Sequence, residues 1–338
     1  MNQNNILLSI AIPTVNRSKE LEENLLELLP QLCGRNDVEI CICDNACEDD
    51  TEVVVKKLFN RYNCKSTYKR YEERVPGREN FKRAVNLTSG EYVLLMGDDD
   101  ILAPYFVSVI IDYLNETKQD LDFIHFNRIY GPPEFNDCRL FDFRRFTNIK
   151  KYKVTDFIEN YLAAPTFMSS IVFKRACWEN GTKYEKEIYY GYEWLSQILF
   201  GSINGNCAYC YFPLVLARNS YRPWLGNWPL YGIVGLSNLF NDLSIYNENI
   251  KKEWKKVLHD NKTFLTTISY IALDKKLYKK RKDEIKACLI NKKEQVWFYT
   301  ILYILPKWFT TKILSLSIKV YYTLKAKIFH KEGYKHLF

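Results

Sequence analysis

Three near-continuous apolar runs, Ile6–Val15 (ILLSIAIPTV), Val38–Asp44 (VEICICD) and Glu91–Met96 (EYVLLM), punctuate the first hundred residues. A strand that is apolar on both faces must be covered on both, so these runs read as buried parallel strands with helices on either side. The stretches between them agree. Leu21, Leu25, Leu28, Leu29 and Leu32 recur at helical spacing behind Ser18, a natural cap. Residues 49–62 and Glu79–Leu87 read as two more amphipathic helices, with a short strand near Ser66–Tyr71 and a Pro76-Gly77 loop between. The order βαβαβ implies an open, mostly parallel, Rossmann-like α/β sheet flanked by helices. Such a sheet takes its ligands outside the carboxyl ends of its strands. Asp44 closes the second run, and Asp98, Asp99 and Asp100 follow the third.

Consecutive carboxylates raise one another's pKa unless a cation or solvent compensates. Hard divalent ions, Mg²⁺ or Mn²⁺, favour carboxylate oxygens together with substrate phosphates, which a strand-end aspartate cluster offers. The same triplet would also serve as a solvated acidic turn, with Asp100 capping a helix over Ile101–Leu114.

The remaining chain is less regular. Short strands are expected at Phe123–Asn127, Ser169–Phe173 and Tyr209–Phe212, and a helical pattern from about residue 230. The charge is divided. Residues 251–338 carry 21 Lys+Arg against 7 Asp+Glu, whereas the first 250 carry 27 against 33. A basic back half favours an anionic surface. Within Val296–Phe329 the apolar run stops after ten residues at Pro306-Lys307, too short to span a bilayer. Trp297, Trp308, Tyr321 and Tyr322 among lysines suit a helix lying in the membrane interface, or an amphipathic helix pair packed on the catalytic domain or, in a homo-oligomer, on a second subunit. Long apolar runs between the lysines argue against nucleic acid. Ten irregularly spaced cysteines and no apparent signal peptide imply a reducing, cytoplasmic setting. Cys207 and Cys210 have metal-like spacing, but no second pair or nearby His completes a site.

Three segments, SIAIPTVNR, VEICICDNACEDDT and NFKRAVNLTSGEYVLLMGDDDIL, resemble in order and spacing the family 2 glycosyltransferases of the GT-A fold. The resemblance is strong over residues 6–115 and looser over 160–225. It implies an inverting transfer of sugar from a nucleotide-diphosphate donor, most often a UDP-sugar, to a saccharide or lipid-linked glycan acceptor. By this resemblance Pro13, Thr14 and Asn16 form the first nucleotide-contacting loop, and Asp44 reads the base, although Asp44 before Asn45 also makes an ordinary turn. Asp98, Asp99 and Asp100 supply the metal-binding DxD motif, with Asp98 also facing the donor. Here Gly97 stands where commoner members place an aspartate. Arg78 and Asn80 lie where the family often has an Arg/Asn pair near the nucleotide, or else form a solvated helix start.

An inverting displacement needs a carboxylate to take the acceptor proton. Glu193 in GYEWLSQILF matches the family's base, opening an apolar-periodic helix after Tyr189, Tyr190 and Tyr192, whose rings suit stacking on sugars. A first-turn glutamate complementing the helix dipole would look the same. PLVLARNSYRPW resembles the family's late strand, which makes Arg218 and Arg222 candidates for the diphosphate or partners of surface carboxylates. In FMSSIVFKR, the small Ser169 and Ser170 leave room on the acceptor side or simply pack. The implied organisation is a catalytic domain over residues 1–228, split near 115 into nucleotide-sugar and acceptor halves, and a helical, basic C-terminal extension over 229–338. The expected setting is bacterial surface-polysaccharide or glycoconjugate synthesis at the inner face of the cell membrane. Two other readings stand beside it. One is a GT-A-like carbohydrate- or membrane-binding protein without catalysis. The other is a nucleotidyltransferase, which would carry a Gly-rich, basic loop after the first strand that IPTVNRSKE lacks.

Overall fold

The computed structural model describes residues 6–117, 120–131, 149–162, 164–218, 227, 229–259, 275–289, 292–304 and 306. Strand β1 (Leu8–Thr14) is buried at every position, as a strand covered on both faces must be. It runs parallel between β2 (Val38–Asp44) and β4 (Tyr92–Leu95), and β2 pairs in parallel with β3 (Lys65–Arg70). Helices α1 (Ser18–Leu32), α2 (Thr51–Arg61) and α3 (Gly77–Asn86) make the crossovers. The five leucines of α1 pack into one cluster with Ile10, Ile12, Ile40, Ile42 and Leu94. Each buried leucine contributes about 2 kcal/mol before conformational entropy is counted. Losing the α1 stripe would therefore unmake this half of the fold.

Antiparallel pairing enters on the far side of β4, which joins β8 (Ile171–Lys174), and β8 joins β6 (Phe123–Gly131). Strand β6 then runs parallel to the long β9 (Asn206–Arg218), whose other edge carries β7 (Ile149–Lys153) near its start and the two-residue β5 (Ile101–Leu102) near its end. Among the described residues the strand order is β3-β2-β1-β4-β8-β6-β9-β5, with β7 also on β9. The remaining helices of this unit are α4 (Phe106–Glu116), α5 (Val154–Tyr161), α6 (Arg175–Gly181) and α7 (Glu193–Gly201).

Two local expectations are corrected. Ile101 and Leu102 are strand, not helix. They pair with Leu216 and Val215, and α4 begins only at Phe106, after Tyr105 turns left-handed at φ +71°. The strand expected at Tyr209–Phe212 extends over thirteen residues because both its flanks find partners.

The chain divides into two compact units, Met1–Lys186 with Gly191–Tyr221, and Glu187–Tyr190 with Arg222–Phe338. The second has its own core of Leu230, Val234, Tyr278, Ile285, Phe298, Ile301 and Leu302. The short segment Glu187–Tyr190 belongs to it. Tyr189 is fully buried with its hydroxyl donating to Asp242 at 2.8 Å, and Tyr190 donates to Glu284. The face of Tyr189 is thus closed to a sugar. Among the described residues no helix is long and apolar enough to cross a membrane. Most of the Val296–Phe329 tail lies outside the described residues.

Candidate active site

In the parallel register Thr14 stands opposite Asp44, and Ala11 opposite Leu95, three residues before Asp98. The sheet alone therefore gathers Thr14, Asp44 and the acidic loop at one edge. The loop 97–100 is then held from all sides. Thr14 Oγ1 donates to Asp98 Oδ2 at 2.8 Å. Asn24 on α1 donates to the carbonyls of Asp100 (2.6 Å) and Gly97 (3.3 Å). Ser169 Oγ accepts from the Gly97 N–H (2.9 Å) and donates to Asp100 Oδ2 (2.5 Å). Arg218 Nε donates to the Asp99 carbonyl, while its other nitrogens reach Glu23 and the Glu20 carbonyl at 2.9 Å. Arg218 thus fastens the end of β9 to both α1 and the acidic loop.

Two carboxylates of the triplet turn on one cation. Arg17 Nε lies 3.2 Å from Asp98 Oδ1, and its Nη2 lies 2.8 Å from Asp99 Oδ2. Burial drives Asp98 upward, and Arg17 only partly counters it, leaving its pKa at about 7. A carboxylate so placed gains from a neighbouring positive charge. Asp100 instead faces Ser169. At Gly97 an ideal Cβ would sit 2.9 Å from Asp100 Oδ2 and 3.2 Å from Asp99 Oδ1, so a side chain there would push against both carboxylates. Among the described residues no three Asp, Glu, His or Cys groups converge as a complete metal cage. The pair Asp98 and Asp99 nonetheless fits a Mg²⁺-like ion, which needs one or two carboxylates and takes its other oxygens from substrate phosphates and water.

A second polar cluster is built around Asp44, which is wholly buried. Its Oδ1 accepts the Cys47 N–H (2.7 Å) and its Oδ2 the Tyr68 hydroxyl (2.5 Å). Burial and that bond push the Tyr68 phenol up, so it stays a donor. Asn16, left-handed at φ +51°, accepts the Glu48 N–H on Oδ1 (2.8 Å), and its own N–H reaches Cys47 Sγ (3.1 Å). It therefore ties the loop after β1 to the loop after β2. Pro13 pairs with Cys43 within the sheet, and Asn80 is buried beneath it, accepting from the Cys43 thiol at 3.2 Å.

Glu193 opens α7 and is buried, and its Oε2 has no hydrogen-bond partner among the described residues. Burial raises its pKa, against hydrogen bonds from the Glu193 and Gly191 backbone and the charge of Arg78. Arg78, a third exposed at the start of α3, is thus electrostatically coupled to Glu193. A second link joins the same helices: Lys82 of α3 and Gln197 of α7 both reach Glu185, each at 2.8 Å. A buried carboxylate with an open oxygen and a raised pKa is equipped to receive a proton. Arg222 lies outside the described residues.

The residues that sequence reasoning passed over are Arg17, Tyr68, Asn24 and the linking role of Ser169. Arg17 carried one signal, a lone cation in the first loop facing an acidic loop across the strand ends. Cys207 and Cys210 are both buried in β9, and burial pushes the Cys210 thiol up to about 11, which suits packing.

The model of the family described as Glycosyl transferase family 2 matches residues 9–179, about half of the chain. The chain belongs to this family. Among similar members, abequosyltransferase RfbV of Salmonella typhimurium is 37% identical over 110 residues. That match covers 32% of this chain and only 33% of RfbV's length. The GalNAc(5)-diNAcBac-PP-undecaprenol beta-1,3-glucosyltransferase of Campylobacter jejuni is 26% identical over 265 residues, covering 74% of this chain and 78% of that protein. TarS 1–349 of S. aureus, solved in complex with UDP-GlcNAc, superposes with a TM-score of 0.56 over 93% of this chain and 92% of its own, at 13% identity. The likeness to TarS shows the GT-A fold.

Proposed function

We propose that this family 2 member is an inverting glycosyltransferase that moves a sugar from a nucleotide-diphosphate donor, a UDP-sugar by preference, onto an acceptor hydroxyl. The observation that carries the reading is the turning of Asp98 and Asp99 onto one cation at the carboxyl edge of the parallel sheet, beside the buried Asp44. Asp44, oriented by Tyr68 and Cys47, accepts from the base, and Asn16 sets the spacing of the two loops around it. A divalent ion, Mn²⁺ or Mg²⁺, held by Asp98 and Asp99 would neutralise the leaving diphosphate. Glu193 takes the acceptor proton as the acceptor oxygen bonds to the anomeric carbon and the bond to the diphosphate breaks. Attack opposite the leaving group inverts the centre. Arg78 keeps Glu193 ionised enough to act, and Arg218 holds Asp99 in place from behind.

The undecaprenol-linked acceptor in the Campylobacter relative's name and the basic charge of residues 251–338 favour a lipid-linked glycan as acceptor, met at the inner membrane face. Bacterial surface-polysaccharide or glycoconjugate assembly is the matching setting.

The test is a thermal-shift and calorimetric screen of UDP, GDP, CDP and dTDP with and without Mn²⁺. One nucleotide should stabilise the wild type in a Mn²⁺-dependent way, and Asp99→Ala should abolish that response. Glu193→Gln should keep it while transfer falls about 10²–10⁴-fold. No response to any nucleotide would sink the transferase reading.

A further inference from the structure

We propose that Arg17 is the resident counter-cation of the Asp98–Asp99 pair and gives up that position when a divalent ion binds. The inference rests on the metal reading above and gives a role to Arg17, the cation onto which the two carboxylates turn. Arg17 spans the two carboxylates with different nitrogens, Nε at 3.2 Å from Asp98 and Nη2 at 2.8 Å from Asp99. Its side chain is 22% exposed, against 10% for Asp98 and 14% for Asp99, while Nε, the atom on Asp98, is itself buried. Thr14 already donates to the other oxygen of Asp98, and Arg218 holds the backbone carbonyl of Asp99. A cation arriving at the two carboxylates therefore meets a guanidinium that already sits on one oxygen of each.

The two charges exclude each other. A divalent ion takes carboxylate oxygens at about 2.1 Å. A guanidinium on the same carboxylates would then be held within a few ångströms of a double positive charge, in a partly buried site where screening is weak. In the exchange Arg17 moves by its side chain alone. It stands at the cap position before α1, and its long side chain can swing toward solvent while its backbone stays in place. Without metal, the pair compensates the crowded carboxylates, keeping the loop in its binding shape. The cost is that the metal must break two charge-assisted contacts to enter.

Arg17→Gln removes the competitor, and the probe is Mn²⁺ alone, titrated by calorimetry and by electron paramagnetic resonance without nucleotide. Mn²⁺ should bind Arg17→Gln about tenfold more tightly than wild type. The variant should melt earlier in chelator and recover most of the difference on adding Mn²⁺. Arg17→Lys, which keeps a charge but not the two-nitrogen span, should fall between. Equal or weaker Mn²⁺ binding by Arg17→Gln, with wild type binding normally, overturns the exchange and leaves the metal site standing. If neither protein binds Mn²⁺ and Asp99→Ala changes nothing, the metal reading itself falls and takes the exchange with it.

Discussion

Replacing Gly181 by alanine tests how α7, and with it Glu193, is positioned. Gly181 ends α6 with φ −83°, a conformation open to any residue, so backbone freedom is not why glycine stands there. The reason is contact: an ideal Cβ would fall 1.8 Å from the Gln197 carbonyl oxygen of α7 and 2.5 Å from its carbon. A Cβ on Gly201 would likewise fall 1.8 Å from the Cys177 carbonyl oxygen, so the two helices approach backbone to backbone at two points. A tolerable Cβ contact begins near 3.0 Å, so the backbones must part by at least about 1.2 Å. Helix α7 is buried from Glu193 to Phe200 and has no free direction to move. Such overpacking costs about 1–3 kcal/mol, and contact with backbone belongs at the upper end. Alanine's better helix propensity returns at most about 1 kcal/mol. The net loss should be about 2 kcal/mol, read as a lower urea midpoint at unchanged slope. Gln197 is one turn from Glu193, so transfer should also fall about 10²-fold while nucleotide affinity holds. A Gly181→Ala protein as stable as wild type, or more so, would refute the close-contact argument, because propensity alone predicts a gain.

Two predictions concern pH. Burial raises Glu193 above an ordinary glutamate, and it acts as a base only when deprotonated. The acidic limb of kcat/KM should therefore have its midpoint above the usual glutamate range of about 4.3, and Glu193→Gln should lose that limb; a wild-type midpoint at or below 4 would remove Glu193 as the base. His125 is buried, with Nε2 at 2.9 Å from the Ala164 carbonyl, and burial lowers its pKa to about 3. The unfolded chain takes a proton below about 6.5 and the folded one does not, so the stability due to neutral His125 is full above that pH and drains away as pH falls. Going from pH 7 to pH 5 should cost about 2 kcal/mol through this residue alone, and His125→Gln should show that much less acid sensitivity in urea unfolding. Identical pH dependence in both proteins would show that His125 does not govern it.

The local parts of this protein were legible because they rest on local physics. Apolar runs, the leucine stripe of α1 and the strand-end position of Asp44 and Asp98–Asp100 follow from side-chain periodicity and from the direction of a parallel crossover, both contained in a few dozen residues. The amino-acid sequence by itself therefore determined a βαβαβ sheet with carboxylates at its ligand edge, and the family those motifs belong to. It did not determine what each carboxylate touches. Thr14 meets Asp98 across 84 residues, Ser169 meets Asp100 across 69, and Arg218 reaches the Glu20 carbonyl across 198. Such pairs exist only once several elements have docked, and no sequence period marks them. The same holds for Ile101–Leu102, whose helical pattern yields to open ladder positions on β9, and for Tyr189, drawn into the second unit by Asp242. Tertiary structure alone decided that Arg17 lies on the acidic pair and that Gly181 brings α6 against the helix of Glu193. Both depend on distances between segments that the chain order leaves free.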